Sequence, residues 1–198
     1  MEFVSGKAIK LGKVENELDR FVVELARILE KHTDYAIVSG YVAILFGRNR
    51  ASEDIDVIVR GFSDFGRFAR EILGNGYWIM NHDEPEGACR MLEDGLAIRI
   101  AKKGTWEPNF EIKLTKMDTD RYSLENRIRV DLESGAVFIG PLELGIAFKL
   151  FLSGEKDIED ARFLYGLFRE HLDMGKLEYF VRRLKVKKPY DKYLSWKK

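Results

Sequence analysis

The chain has 198 residues, 45% of them hydrophobic and 33% charged, with 33 basic residues balanced by 33 acidic ones. That is enough for one good core, or one α/β core with a small helical lobe, in a soluble globular protein. No apolar run reaches the ~18 residues of a membrane span, no signal-peptide core opens the chain, and the single Cys89 excludes an internal disulfide, so the expectation is a cytoplasmic protein.

Glu15 to Lys31 carries Leu18, Phe21, Val22, Leu25, Ile28 and Leu29 at helical spacing and predicts an amphipathic helix. Tyr35 to Val38 reads as a strand, Tyr41 to Phe46 as a short helix ending at Gly47, and Asp54 to Val59 as a second strand. Ser63 to Leu73 reads as a helix with Ser63 as N-cap and Gly74 and Gly76 as its stop. Tyr77 to Met80 is a third strand. Ala88 to Leu92 and Leu96 to Ala101 read as a hairpin across Asp94-Gly95. Phe110 to Leu114 is a further strand, and Arg127 to Leu132 with Ala136 to Ile139 form a hairpin across Ser134-Gly135. Helices follow over Pro141 to Leu152, Asp157 to His171 and Lys176 to Lys185. This order predicts a mixed α/β (α+β) core with a C-terminal helical lobe. A division into residues 1–118 and 119–198 is the expected domain organisation, with one domain as the alternative.

The chemistry concentrates between Tyr35 and Val59. Alternation in the strand Asp-Ile-Asp-Val-Ile-Val puts Asp54 and Asp56 on one face, ~6–7 Å apart along the chain. Two carboxylates this close repel unless a cation sits between them. Mg²⁺ suits such a pair, because it binds carboxylate oxygens together with substrate phosphates. Ser39-Gly40 lies between strand and helix, where free backbone N–H groups can hold a phosphate. The alternative for the two aspartates is a polar strand entrance capping a turn. Arg48 and Arg50 precede the pair and read either as phosphate-binding groups or as loop charges. The three histidines, His32, His82 and His171, show no zinc spacing.

Ser39-Gly40, then a helix, then Asp-x-Asp on the next strand resembles the nucleotidyltransferase superfamily of the polymerase-beta type, with Ser and Gly in inverted order. Downstream, Pro141-Leu142-Glu143-Leu144, Phe148-Lys149-Leu150 and Lys156-Asp157-Ile158-Glu159-Asp160 are similar to the minimal nucleotidyltransferases related to abortive-infection toxins of the AbiEii type. The resemblance spans about Tyr35 to Phe168. It implies a mixed central sheet flanked by helices and Mg²⁺-dependent transfer of a nucleoside monophosphate from an NTP to an acceptor hydroxyl, with the 3′ end of an RNA as one acceptor. It implies metal ligation by Asp54 and Asp56 and a third carboxylate on a later central strand. Glu111 is the candidate, alternating with Phe110 and Ile112; an exposed edge strand is the competing reading. Lys149, in an otherwise apolar helix, is directed by the resemblance at the active site; the alternative is a lysine whose stem covers the core while its charge reaches water. Asp157 and Asp160 suit the N-cap and N3 positions of the next helix and are implied to support the site.

Charge is uneven along the chain. From Arg182 to Lys198 eight basic residues face only Asp191, a surplus of seven that the remainder offsets. Tyr190, Tyr193 and Trp196 are interleaved with them, a pattern that can follow a nucleic-acid backbone and stack bases. The competing reading docks the tail on the acidic body of the same chain. Two functional classes follow: an NTP-consuming transferase, or a catalytically idle module of the same fold bound to an antitoxin-type or other protein partner.

Overall fold

The computed structural model describes residues 1–5 and 7–194. The strands are β1 (Glu2–Ser5), β2 (Ala8–Lys10), β3 (Tyr35–Ile37), β4 (Asp54–Val59), β5 (Tyr77–Ile79), β6 (Ile98–Lys102), β7 (Asn109–Leu114), β8 (Ile128–Asp131) and β9 (Ala136–Ile139). The helices are α1 (Glu17–Leu29), α2 (Gly40–Leu45), α3 (Phe65–Gly74), α4 (Pro85–Glu93), α5 (Asp118–Glu125), α6 (Leu142–Leu152), α7 (Glu155–Phe168), α8 (Met174–Arg183) and α9 (Lys187–Tyr193). Among the described residues all strands join one mixed sheet in the order β1-β2-β8-β9-β3-β4-β7-β6-β5. Strands from both sides of residue 118 therefore share a single sheet. No helix of the described residues is long and apolar enough to cross a membrane.

The predicted alternation of β4 holds: Ile55, Val57 and Val59 are buried, while Asp54, Asp56 and Ile58 are half-buried on the other face. Phe110, opposite Ile55 in the parallel β4–β7 pair, meets Phe21 of α1 edge-to-face at 5.7 Å. The apolar face of the central strands thus packs on α1, leaving the carboxylate face toward α5 and α6. β7 lies between β4 and β6, inside the sheet, so the edge-strand reading of Glu111 does not hold.

Several expected elements differ. Ala88 to Leu92 is part of α4 and pairs with no strand. Its apolar residues Ala88 and Leu92 stand one helical turn apart, and Pro85 sits in the first turn, where its missing N–H costs nothing. Asp94-Gly95 ends this helix: Gly95 takes φ 77°, its N–H reaches the Leu92 carbonyl at 2.8 Å, and the Leu96 N–H reaches the Met91 carbonyl at 2.8 Å, the paired bonds of a Schellman stop. Asp64, not Ser63, caps α3, its side chain accepting from the Arg67 N–H. The α5 segment and the short β1–β2 pair were not anticipated.

The tail folds back on the body. Val186, Tyr190 and Leu194 are buried, and Tyr190 stacks edge-on against Tyr165. Lys187 pairs with Asp191 at 2.7 Å, and Arg183 with Asp118 at 3.0 Å. Trp196, Lys197 and Lys198 lie outside the described residues.

Candidate active site

β3 ends at Ile37, and the chain turns through Ser39 into α2. Ser39 adopts φ 64°, ψ −135°, a backbone region that side chains other than glycine rarely occupy. Its hydroxyl lies beside the Asp56 carboxylate and lowers its pKa. Gly40 follows, and a Cβ there would lie 2.9 Å from Arg50 Nη2, so any larger residue would push the Arg50 head aside.

Asp56 stands opposite Glu111 in the parallel β4–β7 pair, and Glu111 stands opposite Arg99 in the antiparallel β7–β6 pair. Side chains so paired lie about 5 Å apart, where like charges destabilise a sheet. Cations relieve the conflict. Arg99 donates to Glu111 Oε2 from Nη2 at 2.8 Å and from Nε at 3.1 Å. Lys113, two residues along the same face, pairs with Glu111 Oε1 and lies 3.7 Å from Asp56 Oδ1. Asn109 donates to Asp54 Oδ1 at 2.7 Å.

The two acids titrate in opposite directions. Burial pushes the Asp56 carboxyl above its ordinary range; Lys113 and the Ser39 hydroxyl pull it back, while Glu111 and Asp54 add to the rise. Burial also raises Glu111, but Lys113 and Arg99 outweigh it and hold that carboxyl below its ordinary range.

Asp54 and Asp56 offer half-buried oxygens on one face, a donor set that fits Mg²⁺, which is commonly bound by one or two carboxylates plus phosphate and water. Glu111 does not fit as a third ligand, because both its oxygens are engaged by protein cations. Among the described residues no group of three or more His, Cys, Asp or Glu side chains is arranged to hold a metal ion.

A cavity of about 500 Å³ opens beside these groups, between the sheet face and helices α5 and α6. Ser39, Asp56, Lys113, Lys116 and Lys149 line it, and Val42, Met117, Leu144 and Phe148 supply apolar wall. Arg48, Arg50, Asp157 and Asp160 are not among its lining residues.

Those four residues form a second cluster with Lys149, in which Asp160 and Lys149 are buried and the others half-buried. Lys149 Nζ lies 2.8 Å from Asp157 Oδ1 and 2.7 Å from Asp160 Oδ2. Arg50 Nη1 reaches Asp160 Oδ2 at 2.7 Å, and Arg48 pairs with both Asp160 and Glu159. Burial lowers the Lys149 ammonium below its ordinary range, opposed by Asp157 and Asp56. The expected capping roles are corrected: Gly154 is the N-cap of α7, Asp157 is its third residue, and Asp160 sits one turn further in, fully buried. Both arginines clip the loop after α2 onto α7.

Arg99, Asn109 and Lys113 were absent from the sequence-based site. Asn109 and Lys113 could have been found from the alternation that selects Glu111, since both lie on its face. Arg99 could not, because the expected hairpin paired its strand with residues 88–92.

No protein-family model matches the chain. No curated protein matches it in sequence. Solved structures do match in shape. An antigenic nucleotidyltransferase-like protein from Paracoccidioides brasiliensis aligns with a TM-score of 0.51 at 15% identity, covering 87% of this chain and 88% of that one. The chain has the nucleotidyltransferase fold. ANT(2″)-Ia, solved in complex with adenylyl-2″-tobramycin, aligns with a TM-score of 0.52 at 14% identity over 85% of this chain and 95% of that one. On this nucleotidyltransferase fold, Asp54, Asp56 and the cavity lie on one side of the sheet, and α6 brings Lys149 to the same cavity.

Proposed function

We propose that the protein is an Mg²⁺-dependent nucleotidyltransferase that moves a nucleoside monophosphate from an NTP to an acceptor hydroxyl. The observation that carries this reading is the meeting of Asp54 and Asp56, on one face of β4, with the strained Ser39-Gly40 turn at the mouth of a cation-lined cavity. Asp54 and Asp56 would hold the ion, with Asn109 fixing the Asp54 carboxylate and Ser39 orienting that of Asp56. When bound, Mg²⁺ would supply charge to offset the attacking and leaving oxygens. Lys113, Lys116 and Lys149 bring positive charge to the cavity where a triphosphate would lie. In the reaction the acceptor hydroxyl gives up its proton to water, its oxygen forms a bond to the α-phosphorus, the bond from that phosphorus to the α–β bridging oxygen breaks, and pyrophosphate leaves.

The acceptor is proposed as an RNA 3′ end, which the exposed Lys185, Lys188 and Lys192 of the basic tail would help hold. A small aminoglycoside-type hydroxyl acceptor is the variant supported by ANT(2″)-Ia, whose solved complex contains adenylylated tobramycin. A second reading, an idle nucleotide-binding module within an antitoxin-type or other protein complex, draws on one observation: Glu111 is already neutralised by Arg99 and Lys113.

Incubation with each α-labelled NTP, Mg²⁺, and either total RNA or an aminoglycoside tests these readings. Label should transfer to one acceptor with the wild type. Asp56→Asn should lose at least about 100-fold in rate, since metal-assisted charge stabilisation contributes several kcal/mol. Transfer unaffected by Asp56→Asn overturns the site. NTP binding with no transfer to any acceptor favours the idle module.

A further inference from the structure

Glu111 occupies the position at which a third metal-binding carboxylate is expected, yet its surroundings are wrong for a ligand. Oε2 is held by two nitrogens of Arg99, and Oε1 is held by Lys113. Lys113 lies toward Asp56 as well, 3.7 Å from its Oδ1, so one ammonium spans the gap between the two carboxylates. The register makes this arrangement a property of the fold: Asp56 faces Glu111, Ile58 faces Lys113, and Arg99 faces Glu111 from the far side. A divalent ion shared by Asp56 and Glu111 would have to displace Lys113 and strip Arg99 from its partner, and Mg²⁺ demands near-ideal octahedral geometry at short distances.

We propose that the chain binds a single divalent cation, on Asp54 and Asp56, and that Lys113 supplies from the protein the positive charge beside Glu111. Glu111 is then a positioning residue, holding Lys113 at the edge of the cavity while Arg99 holds Glu111 from the other side. This rests on the reading of Asp54 and Asp56 as metal ligands. A fixed ammonium beside Asp56 neutralises charge at the carboxylates and costs no second ion. It also repels an ion arriving at Asp56, so the site should be weaker than its carboxylates alone would make it.

Titration of the full chain with Mn²⁺ alone, followed by electron paramagnetic resonance, tests the proposal without any turnover. One Mn²⁺ per chain is expected, lost in Asp56→Asn. Glu111→Gln should weaken binding, but by less than about tenfold, because a nearby negative charge goes while no ligand is removed. Lys113→Met should tighten it about three- to tenfold by removing a nearby like charge, and Lys113→Arg, which keeps the charge, should restore the wild-type value. These effects separate an electrostatic role from a merely structural one, and the Lys113 variants carry the test alone if Glu111→Gln does not fold. Two Mn²⁺ per wild-type chain, or a loss of tenfold or more in Glu111→Gln, or weaker binding in Lys113→Met, overturns the single-cation assignment while leaving the Asp54–Asp56 site standing. No Mn²⁺ bound to wild type overturns the metal reading itself, and this inference with it.

Discussion

Lys149 Nζ on α6 lies 2.7 Å from Asp160 Oδ2 on α7, and both side chains are almost wholly buried. Asp160 is the single acid at the centre of three cations, since Arg48 and Arg50 also close on it. Removing its charge takes a partner from all three: Lys149 keeps Asp157 and Arg48 keeps Glu159, but Arg50 loses the acid it pairs with, whereas removing Lys149 leaves Asp160 with two partners. Asp160→Asn is therefore expected to cost about 3–5 kcal/mol, the scale for breaking a buried ion pair from one side. Lys149→Met should cost far less, or stabilise, while weakening triphosphate binding. Urea unfolding of both variants checks this; equal losses would contradict the asymmetry.

Ser39 sits at φ 64°, a conformation that costs a non-glycine residue about 1–3 kcal/mol. Its hydroxyl also lies beside the Asp56 carboxylate, a polar contact that alanine cannot make. Ser39→Gly should thus match or exceed wild-type stability, whereas Ser39→Ala, which keeps the strain and loses that contact, should fall below it. Both should lose nucleotidyl transfer. A melting temperature for Ser39→Gly as low as that of Ser39→Ala would show the turn to be unstrained.

Truncation after Val181 removes Val186, Tyr190 and Leu194, all buried. At ~1.5–3 kcal/mol for each large buried apolar side chain, the loss is about 5 kcal/mol or more, comparable to the whole stability of a small domain. The shortened chain should melt far below wild type. An unchanged thermal midpoint would mean that the tail does not pack on the body in solution.

Asp34, at the entry to β3, bonds Arg127 at 2.8 Å and Arg60 at 3.3 Å. Burial raises its carboxyl, but the two guanidinium groups outweigh that and hold it below its ordinary value of 3.8. With a depressed folded value, its contribution is present above pH 3.8 and is lost as pH falls through the lower folded value. Because the side chain is 47% exposed, that contribution is at most about 1 kcal/mol. The stability gap between wild type and Asp34→Asn should be constant at neutral pH, close below pH 3.8, and shrink in high salt. A gap that widens in acid would reverse the sign.

Where one physical signal dominates, the sequence could be read directly. The period-two pattern of β4 put Asp54 and Asp56 on one face, and the apolar stripe of α1 marked its buried side. Local signals with two meanings misled. Asp94-Gly95 suits a hairpin turn and a helix stop equally, and only the one-turn spacing of Ala88 and Leu92 favours the helix. α5 has little apolar periodicity and leans on Asp120, which accepts from the Lys116 and Met117 N–H groups. The cation clamp on Glu111 depended on strand order, because Arg99 reaches it only if β6 pairs with β7. Likewise, Arg48 and Arg50 looked like loop charges beside the aspartates, and their partners lie over 100 residues away on α7.

The sheet is not equally strong along its width. β4 and β7 are paired over six residues, whereas β3 and β9 share the single register pair Ile37–Ile139, with the Gly140 N–H reaching the Ile37 carbonyl at 2.8 Å. Side chains patch the rest of that join: the Tyr35 hydroxyl accepts the Phe138 N–H at 3.2 Å, and Arg127 caps the Tyr35 carbonyl. β4, with Asp56, lies on one side of this seam; β9, leading into the helix of Lys149, lies on the other. In a solvent-exchange experiment the amides of Phe138 and Gly140 should give up their hydrogens well before those of Val57 and Ile112, and slow exchange at all four would make the seam as tight as its neighbours. A sheet that yields there would change the spacing between Asp56 and Lys149 while each half stays intact, so the width of the cavity that both residues line depends on the shortest ladder among the described residues.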